Sequence, residues 1–414
     1  MSELPKTRRY FTGISRDTVL LAFASLFADI STEMLYPILP IFLTQVLRAS
    51  GGVVGLVEGV AQATQNIVQG FSGWLSDKLR KRKALALTGY FLAAMAKPLM
   101  GLSQTWPQLL AGRFMDRLGT GIRSAPRDAL VAASVAEENR GRAFGLEGFG
   151  DNLGAFLGPL LAILLVTSFH FNFRWIFYLA LVPGLLAFSM TLLVSETAAA
   201  APVKVKTSAS WRQLPESYWK YLLVTALFGI GNSSNSFLIL RTRDAGASFM
   251  LTILIYAGFN LVAALISYPA GSLSDRFGRK RILLLAFLVF FVAYLGFALT
   301  KATAAIAFLF IFYGLFQGIF RSVGKAFAAD FVPQHLRASG VGWYSTTVGL
   351  LGLVASIVAG QLWDRIGHAA VFYFGACSAI AGSIGLLVLL PNRQGAGPLS
   401  SESHLSGRPG FDHH

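Results

Sequence analysis

The chain has 414 residues, of which 54% are apolar, 13% aromatic and 13% charged, with a mean hydropathy of +0.58. A soluble domain carries about a quarter charged residues, so this is bilayer composition; at about 20 apolar residues per crossing the length holds roughly ten to fourteen spans, which excludes a soluble enzyme on a single anchor. Lys and Arg number 35 against 20 Asp and Glu, a net charge of +15, and the one cysteine, Cys377, excludes a disulfide framework, a thiolate zinc site and an iron–sulfur cluster.

Met1 to Arg16 is basic and polar. The apolar stretch that follows, Val19 to Leu47, lacks a small-residue cleavage site and is too long for a signal-peptide core, so it reads as a first span at 17–47. Further apolar segments, separated by short polar or Gly/Pro breaks, lie at 51–75, 84–103, 106–131, 143–168, 172–194, 218–242, 249–273, 282–300, 303–329, 340–362 and 369–391. These make twelve spans. The longest polar gap, with Lys204, Lys206 and Arg212, divides them into two groups of six. The expected organisation is an N-terminal segment 1–16, a first group 17–194, a central loop 195–217, a second group 218–391 and a Gly-, Ser- and Pro-rich tail 392–414 that reads as disordered.

With the N-terminus in the cytoplasm, most of the 35 bases fall on that side, including the runs Lys78 to Lys83 and Arg276 to Arg281. The other side has Arg48, Arg174, Arg241, Arg243, Lys301 and Arg365. The positive-inside bias therefore puts both termini in the cytoplasm of a cell with this chain in its inner membrane, and the charge is topology instead of a nucleic-acid footprint.

The two groups repeat. Gly73-Trp-Leu-Ser-Asp77-Lys78 after span two matches Gly271-Ser-Leu-Ser-Asp275-Arg276 after span eight, 198 residues on, and the same offset carries Arg123-Ser124 and Arg127 in span four onto Arg321-Ser322 and Lys325 in span ten. Duplicated six-span halves mark a secondary transporter with its site between the repeats near the midplane.

These residues resemble the major facilitator superfamily along nearly the whole chain. Gly73 to Lys81 and Gly271 to Lys280 are similar to its loop signature G-x-x-x-D-[RK]-x-G-[RK]-[RK], the first copy having Arg80 for the later glycine. Pro37-Ile-Leu-Pro40 is similar to the P-x-x-P of its proton-coupled drug exporters; Gly154-Ala-Phe-Leu-Gly158-Pro159 resembles the antiporter G-x-x-x-G-P, with Leu161 and Ala162 for its later glycines; and Arg117-Leu-Gly-Thr120-Gly121 resembles R-x-x-Q-G with Thr for Gln. The resemblance implies an all-α integral membrane fold of twelve transmembrane helices in two pseudo-symmetric six-helix bundles. These bundles would rock around a cavity lined by spans one, four, seven and ten. It also implies proton-coupled export, with Arg117 modulating a neighbouring carboxylate.

An ionisable group in hydrocarbon costs several kcal/mol unless paired, hydrated or neutralised, so each is a functional candidate. The acids within spans are Asp29, Glu33, Glu58, Asp116, Asp128, Glu147 and Asp151, all in the first half; the bases are Lys97, Arg113, Arg117, Arg123, Arg127, Arg321 and Lys325. The first half thus has two carboxylates in excess, and the second has two bases and no acid. Either acids reach across the interface or some are protonated, and both suit a proton switch. Asp29 and Glu33 share a helix face, as do Arg113, Asp116 and Arg117; Glu147, Asp151, Gly154 and Gly158 follow one stripe. Proton coupling is assigned to Asp29, Glu33, Asp116, Arg117, Glu147 and Asp151. Gly154 and Gly158, followed by Pro159, are expected at the seam between bundles. Gly73, Asp77, Lys78, Gly271, Asp275 and Arg276 form twin cytoplasmic latches. Lys97 either snorkels or pairs with an inner acid.

For substrate, Arg113 and Arg321, with Arg117, offer a fork to a carboxylate, and Asn232, Asn235 and Gln317 offer neutral hydrogen bonds. An organic anion or a metal chelate fits, and aromatics such as Phe23, Phe27 and Tyr36 equally permit a hydrophobic drug. Lipid, the small-molecule substrate and protons are the expected partners of a monomer; no cofactor, metal or nucleic acid is expected. The nearest approach to a P-loop, Gly318 to Ala326, has the wrong spacing and Ala where Ser or Thr would bind magnesium. No G-x-S-x-G or H-E-x-x-H is present, and the six histidines form no ligand pair within a span. A channel would put a similar polar stripe on every pore helix, which the unequal halves do not. A proton symporter importing an organic acid is the alternative within carriers.

Overall fold

The computed structural model describes residues 14–79, 81–136, 139–196, 214–332 and 337–390. The expected N-terminal segment, most of the central loop and the tail lie outside these residues. Within them the fold is helical without strands: α1 Arg16–Glu33, α2 Leu39–Ile41 with a π-helical turn Phe42–Val46, α3 Gly51–Leu79, α4 Arg82–Leu102, α5 Trp106–Ala133, α6 Arg140–Thr167, α7 Phe173–Leu179, α8 Leu181–Leu192, α9 Glu216–Gly229, α10 Ser236–Asp244, α11 Phe249–Phe277, α12 Arg279–Leu299, α13 Thr303–Asp330, α14 Arg337–Arg365 and α15 His368–Leu389. The pairs α1/α2, α7/α8 and α9/α10 each complete one passage, giving twelve.

Eight of the passages are long and apolar enough to cross a bilayer by composition alone. The other four are spans one, two, four and seven; one and seven are broken near their middles, and two and four carry Glu58 and the run Arg113, Asp116, Arg117. An inward-facing helix is released from the demand for lipid-compatible side chains, so the polar passages mark the interior.

The repeat extends to the elements. α3 and α11 both have 29 residues and start 198 apart, and α5 and α13 both have 28. Spans one and seven break at equivalent places, 34–38 and 230–235. In span one Pro37 and Pro40 remove backbone donors from the helical ladder; in span seven Asn232, Ser233, Ser234 and Asn235 offer the backbone competing hydrogen bonds. The turn from α11 to α12 passes through Gly278 at φ +90°, which explains the later glycine of the loop signature: other residues are strained there. Its counterpart, residue 80, lies outside the described residues.

The halves differ in filling. The second packs on aromatic rings, with Phe228 stacked on Phe287 at 4.2 Å and Phe290 on Tyr294 at 3.9 Å; the first buries Lys97, Arg113, Asp116, Arg123 and Glu147. Since lipid tails are as apolar as these rings, close packing and not water exclusion holds the second half together. Gly154 and Gly158 do not lie on a seam between bundles. A Cβ at Gly154 would stand 2.5 Å from Leu26 O, and one at Gly158 2.9 Å from Ile30 O. These glycines let α6 lie against α1 of its own half, where backbone contact requires the missing Cβ.

The halves meet at the end remote from the chain termini. Asp364, at the end of α14, accepts hydrogen bonds from Gly51 N–H at 2.8 Å and Gly52 N–H at 2.7 Å, capping α3 of the other half. Below this cap Gly55 lies so close to the Ser356 carbonyl that a Cβ there would clash with it. Arg174 and Arg241, bases on the sparse side of the charge bias, bond the free carbonyls closing α4 and α12 at this same end.

Candidate functional site

The intramembrane charges of the first half sort into two clusters. In one, α5 presents Arg113, Asp116 and Arg117 on a common face, as their spacing requires. Arg113 donates from Nε and Nη2 to the two oxygens of Glu58 on α3, both at 3.2 Å, and from Nη1 to Asp116 Oδ2 at 3.2 Å. Arg117 Nε lies 3.3 Å from the same oxygen, and its Nη1 donates to Gln65 at 3.0 Å. Lys97 resolves its alternatives by pairing inward: Nζ donates to Asp116 Oδ1 at 2.5 Å and to Thr32 at 3.3 Å. With Glu33 nearby, three acids meet three bases and the cluster is neutral. It is also deeply buried, so removing one member strands a charge.

Glu33 itself joins the halves. Tyr256 of α11 donates its hydroxyl to Glu33 Oε2 at 3.1 Å. The Tyr256 ring stacks on Tyr36 at 5.5 Å, and Arg113 lies over Tyr36 at 5.6 Å. Glu33 is also within electrostatic reach of Arg117, Arg321 and Arg113. One carboxylate thus reaches across the interface, as the charge count allowed.

The second cluster lies nearer the chain termini and is acid-rich. Arg127 Nη1 contacts Glu147 at 2.9 Å and Asp151 at 3.8 Å, while its Nη2 donates to Asp128 at 2.9 Å. Ser25 donates to Glu147 at 2.6 Å and accepts from Arg127 at 3.0 Å. Asp29 is 3.9 Å from Arg123 Nη2. Asp29, Asp128, Glu147 and Asp151 therefore share Arg123 and Arg127, so the first half's excess of two carboxylates resides here. Asp128 and Asp151 are nearly half exposed, at 43% and 45%; in the other half α13 exposes Arg321 and Lys325, the latter within electrostatic reach of Asp128.

Of the expected substrate residues, Asn235 accepts from Tyr313 at 2.7 Å and Arg113 is committed to Glu58 and Asp116. Asn232 and Gln317 are half-buried and Arg321 is exposed. At the loop signature, Arg279 joins Asp275 at 3.4 Å to Asp330 at 2.6 Å, tying α11 to α13 within the second half. Arg276 and Lys78 are exposed, a Cβ on Gly73 would touch Ala125 at 3.3 Å, and one on Gly271 would meet nothing; the Asp77 side chain lies outside the described residues. Among the described residues no three His, Cys, Asp or Glu side chains gather as a metal site.

Sequence reasoning left Glu58, Lys97, Arg123, Arg127, Tyr256 and Asp364 without site roles. Glu58 had a signal, since Glu58, Gln62, Gln65 and Gln69 form a polar stripe along α3. Tyr256 and Asp364 had none, because their partners come from the other half.

Twelve passages in two repeated halves, broken helices at equivalent points and a charged interior in the first half define a multi-pass membrane transporter and not an enzyme. The chain belongs to the Major Facilitator Superfamily, whose family model matches it twice, over residues 21–241 and 221–409. It is 34% identical over 392 residues to an uncharacterized MFS-type transporter of Methanocaldococcus jannaschii, covering 93% of this chain and 98% of the relative. It is 28% identical to the multidrug resistance protein MdtG of Klebsiella pneumoniae, over 62% of this chain and 65% of that one. Among solved structures, the nucleoside transporter NupG superposes with a TM-score of 0.77 at 14% identity, covering 91% of this chain and all of that one; that likeness concerns fold alone.

Proposed function

We propose that this chain is a proton-coupled exporter of a small organic compound. It works by alternating access as a monomer in the inner membrane, with both termini in the cytoplasm. The observation that carries the reading is the acid-rich cluster: four carboxylates on two guanidiniums, two of the carboxylates nearly half exposed. When the halves close over them in the exchange, water leaves and the two carboxylates in excess must each take a proton or a cation. A cluster that is charged when wet and protonated when sealed ties proton binding to the conformational exchange. In this reading Asp29, Glu147 and Asp151 hold the exchanging protons, Glu33, Asp116 and Arg117 relay their charge toward the midplane, and Asn232, Gln317 and Arg321 contact substrate. The signatures around Asp77 and Asp275 latch the terminal end. Export follows the P-x-x-P and G-x-x-x-G-P resemblances and the similarity to a protein named for multidrug resistance.

The test is a growth-inhibition panel in an efflux-deficient bacterium expressing the intact chain or Asp29→Asn, with drugs, organic acids and iron–citrate mixtures at two external pH values. Protection by the intact chain and not by the variant is expected for one class of compound. Absence of protection throughout, with the protein demonstrably in the membrane, would contradict export. One observation favours a second reading, proton symport of an organic anion: Arg321 is exposed, and Glu33, within its electrostatic reach, would release it on protonation. Uptake of labelled organic acids that rises with external acidity separates the two.

A further inference from the structure

Between the two charge clusters, within the first half, is a small cavity walled by Ser31, Thr32, Tyr90, Lys97, Arg123 and Gly184. Its volume for the centre of a water molecule is about 10 Å³, close to what a single water needs. Three polar atoms of its wall residues, Tyr90 Oη and Arg123 Nε and Nη1, make no hydrogen bond among the described residues. Yet Tyr90 is only 2% and Arg123 only 4% exposed. The two side chains hold each other, the guanidinium lying over the ring at 4.6 Å, which leaves their hydrogen-bonding groups for a third party. Leaving such groups unpaired is costly, and native interiors satisfy them with ordered water.

The cavity also has two different neighbours. On one side Lys97 and Thr32 belong to the neutral cluster through the Lys97–Asp116 pair. On the other, Arg123 faces Asp29 of the acid-rich cluster. We propose that this cavity binds one ordered water, hydrogen-bonded to Tyr90, Arg123 and the Lys97–Thr32 wall, and that this water links the ionisation of Asp29 to the Lys97–Asp116 pair. The first clause stands by itself; the second rests on the proton-coupled reading. A water suits the site because guanidinium and ammonium groups only donate, whereas a water accepts from them and still donates to a hydroxyl oxygen. The surroundings that set the background field are Glu33 of α1, Arg127 and Asp128 of α5 and Glu147 and Asp151 of α6 around Asp29, and Glu58 of α3 with Arg113 and Arg117 of α5 around the pair.

Two substitutions disturb the water while leaving every carboxylate and base in place. Tyr90→Phe removes one partner. Gly184→Ala takes up space, since its Cβ would stand 3.0 Å from Ala94 Cβ and 3.3 Å from Ser31 Oγ. Gly148→Ala, where an added Cβ meets nothing within 4 Å, is the control. The experiment combines a density map of the intact chain at a resolution that shows ordered waters with a substrate-free pH titration of the distance between spin labels at Leu79→Cys and Phe277→Cys, on a Cys377→Ala background. One peak in contact with Tyr90 and Arg123 is expected, lost in Gly184→Ala. Both variants should move the titration midpoint by roughly 3- to 10-fold in proton concentration, the scale of one hydrogen bond, with Gly148→Ala unmoved. No peak in the intact chain, or a peak that gives anomalous signal after soaking in bromide, overturns the water. A lost peak with an unmoved midpoint overturns the link. A distance insensitive to pH in the intact chain overturns the proton-coupled reading and the link with it, while the peak still decides the first clause. If Gly184→Ala does not fold, Tyr90→Phe carries the titration.

Discussion

Asp116 is fully buried and touches three cations, Lys97, Arg113 and Arg117. Asp116→Asn keeps the shape and removes the charge that reconciles them, so it should cost about 3 to 5 kcal/mol of stability, read as a lower melting temperature in detergent. Adding Lys97→Met, which removes one stranded cation, should recover part of that loss. Tyr256→Phe deletes a single hydrogen bond to Glu33 and should cost only about 1 kcal/mol, while shifting the pH dependence of transport. That the first half is rich in acids was legible in the sequence. How they pair was not, because Lys97 meets Asp116 and Arg123 meets Asp29 through packing between helices, which spacing within one helix does not encode.

Among elements, the contact of α3 with α14 is the seal at the distal end. Asp364→Ala deletes the cap on Gly51 and Gly52, worth about 0.5 to 2 kcal/mol for a helix N-cap. It should shift the balance toward opening at that end by about 2- to 30-fold, measured by reactivity of cysteines placed along α3. Asp244, ending α10, adds a pH term at the same end. Partial burial raises its pKa, but the hydrogen bond and charge of His368, with those of Arg241, outweigh this and hold the carboxylate below its ordinary value. A depressed pKa means that its contribution is complete above the ordinary carboxylate range, near pH 4, and is lost as pH falls through the lowered value. Asp244→Asn should therefore lower the melting temperature at neutral pH, and the difference from the intact chain should shrink in strong acid. The duplicated loop signature was visible because its glycine and charges are sequence-specific. The paired helix breaks were foreshadowed only by Pro37, Pro40 and the Asn/Ser run. The glycine stripe of α6 marks a close seam in the sequence, but its partner is α1 of the same half and not the other bundle, since small residues announce close approach without naming the partner.

At the scale of the molecule, the twelve passages and their division into halves followed from hydropathy and the 198-residue repeat. The chemical asymmetry of the halves, charge in the first and stacked rings in the second, follows from composition once the division is made. What required three dimensions was the sorting of seven acids and five bases into one neutral and one acid-rich cluster, and that sorting supports the proton-coupled reading. The most direct measurement is the distance between the terminal ends of α3 and α11, by spin labels at Leu79→Cys and Phe277→Cys, across pH in the intact chain and in Asp29→Asn/Asp151→Asn. The account predicts two distances whose populations exchange with pH in the intact chain and no longer respond in the double variant. A single distance at every pH, or an unchanged response in the double variant, would contradict it.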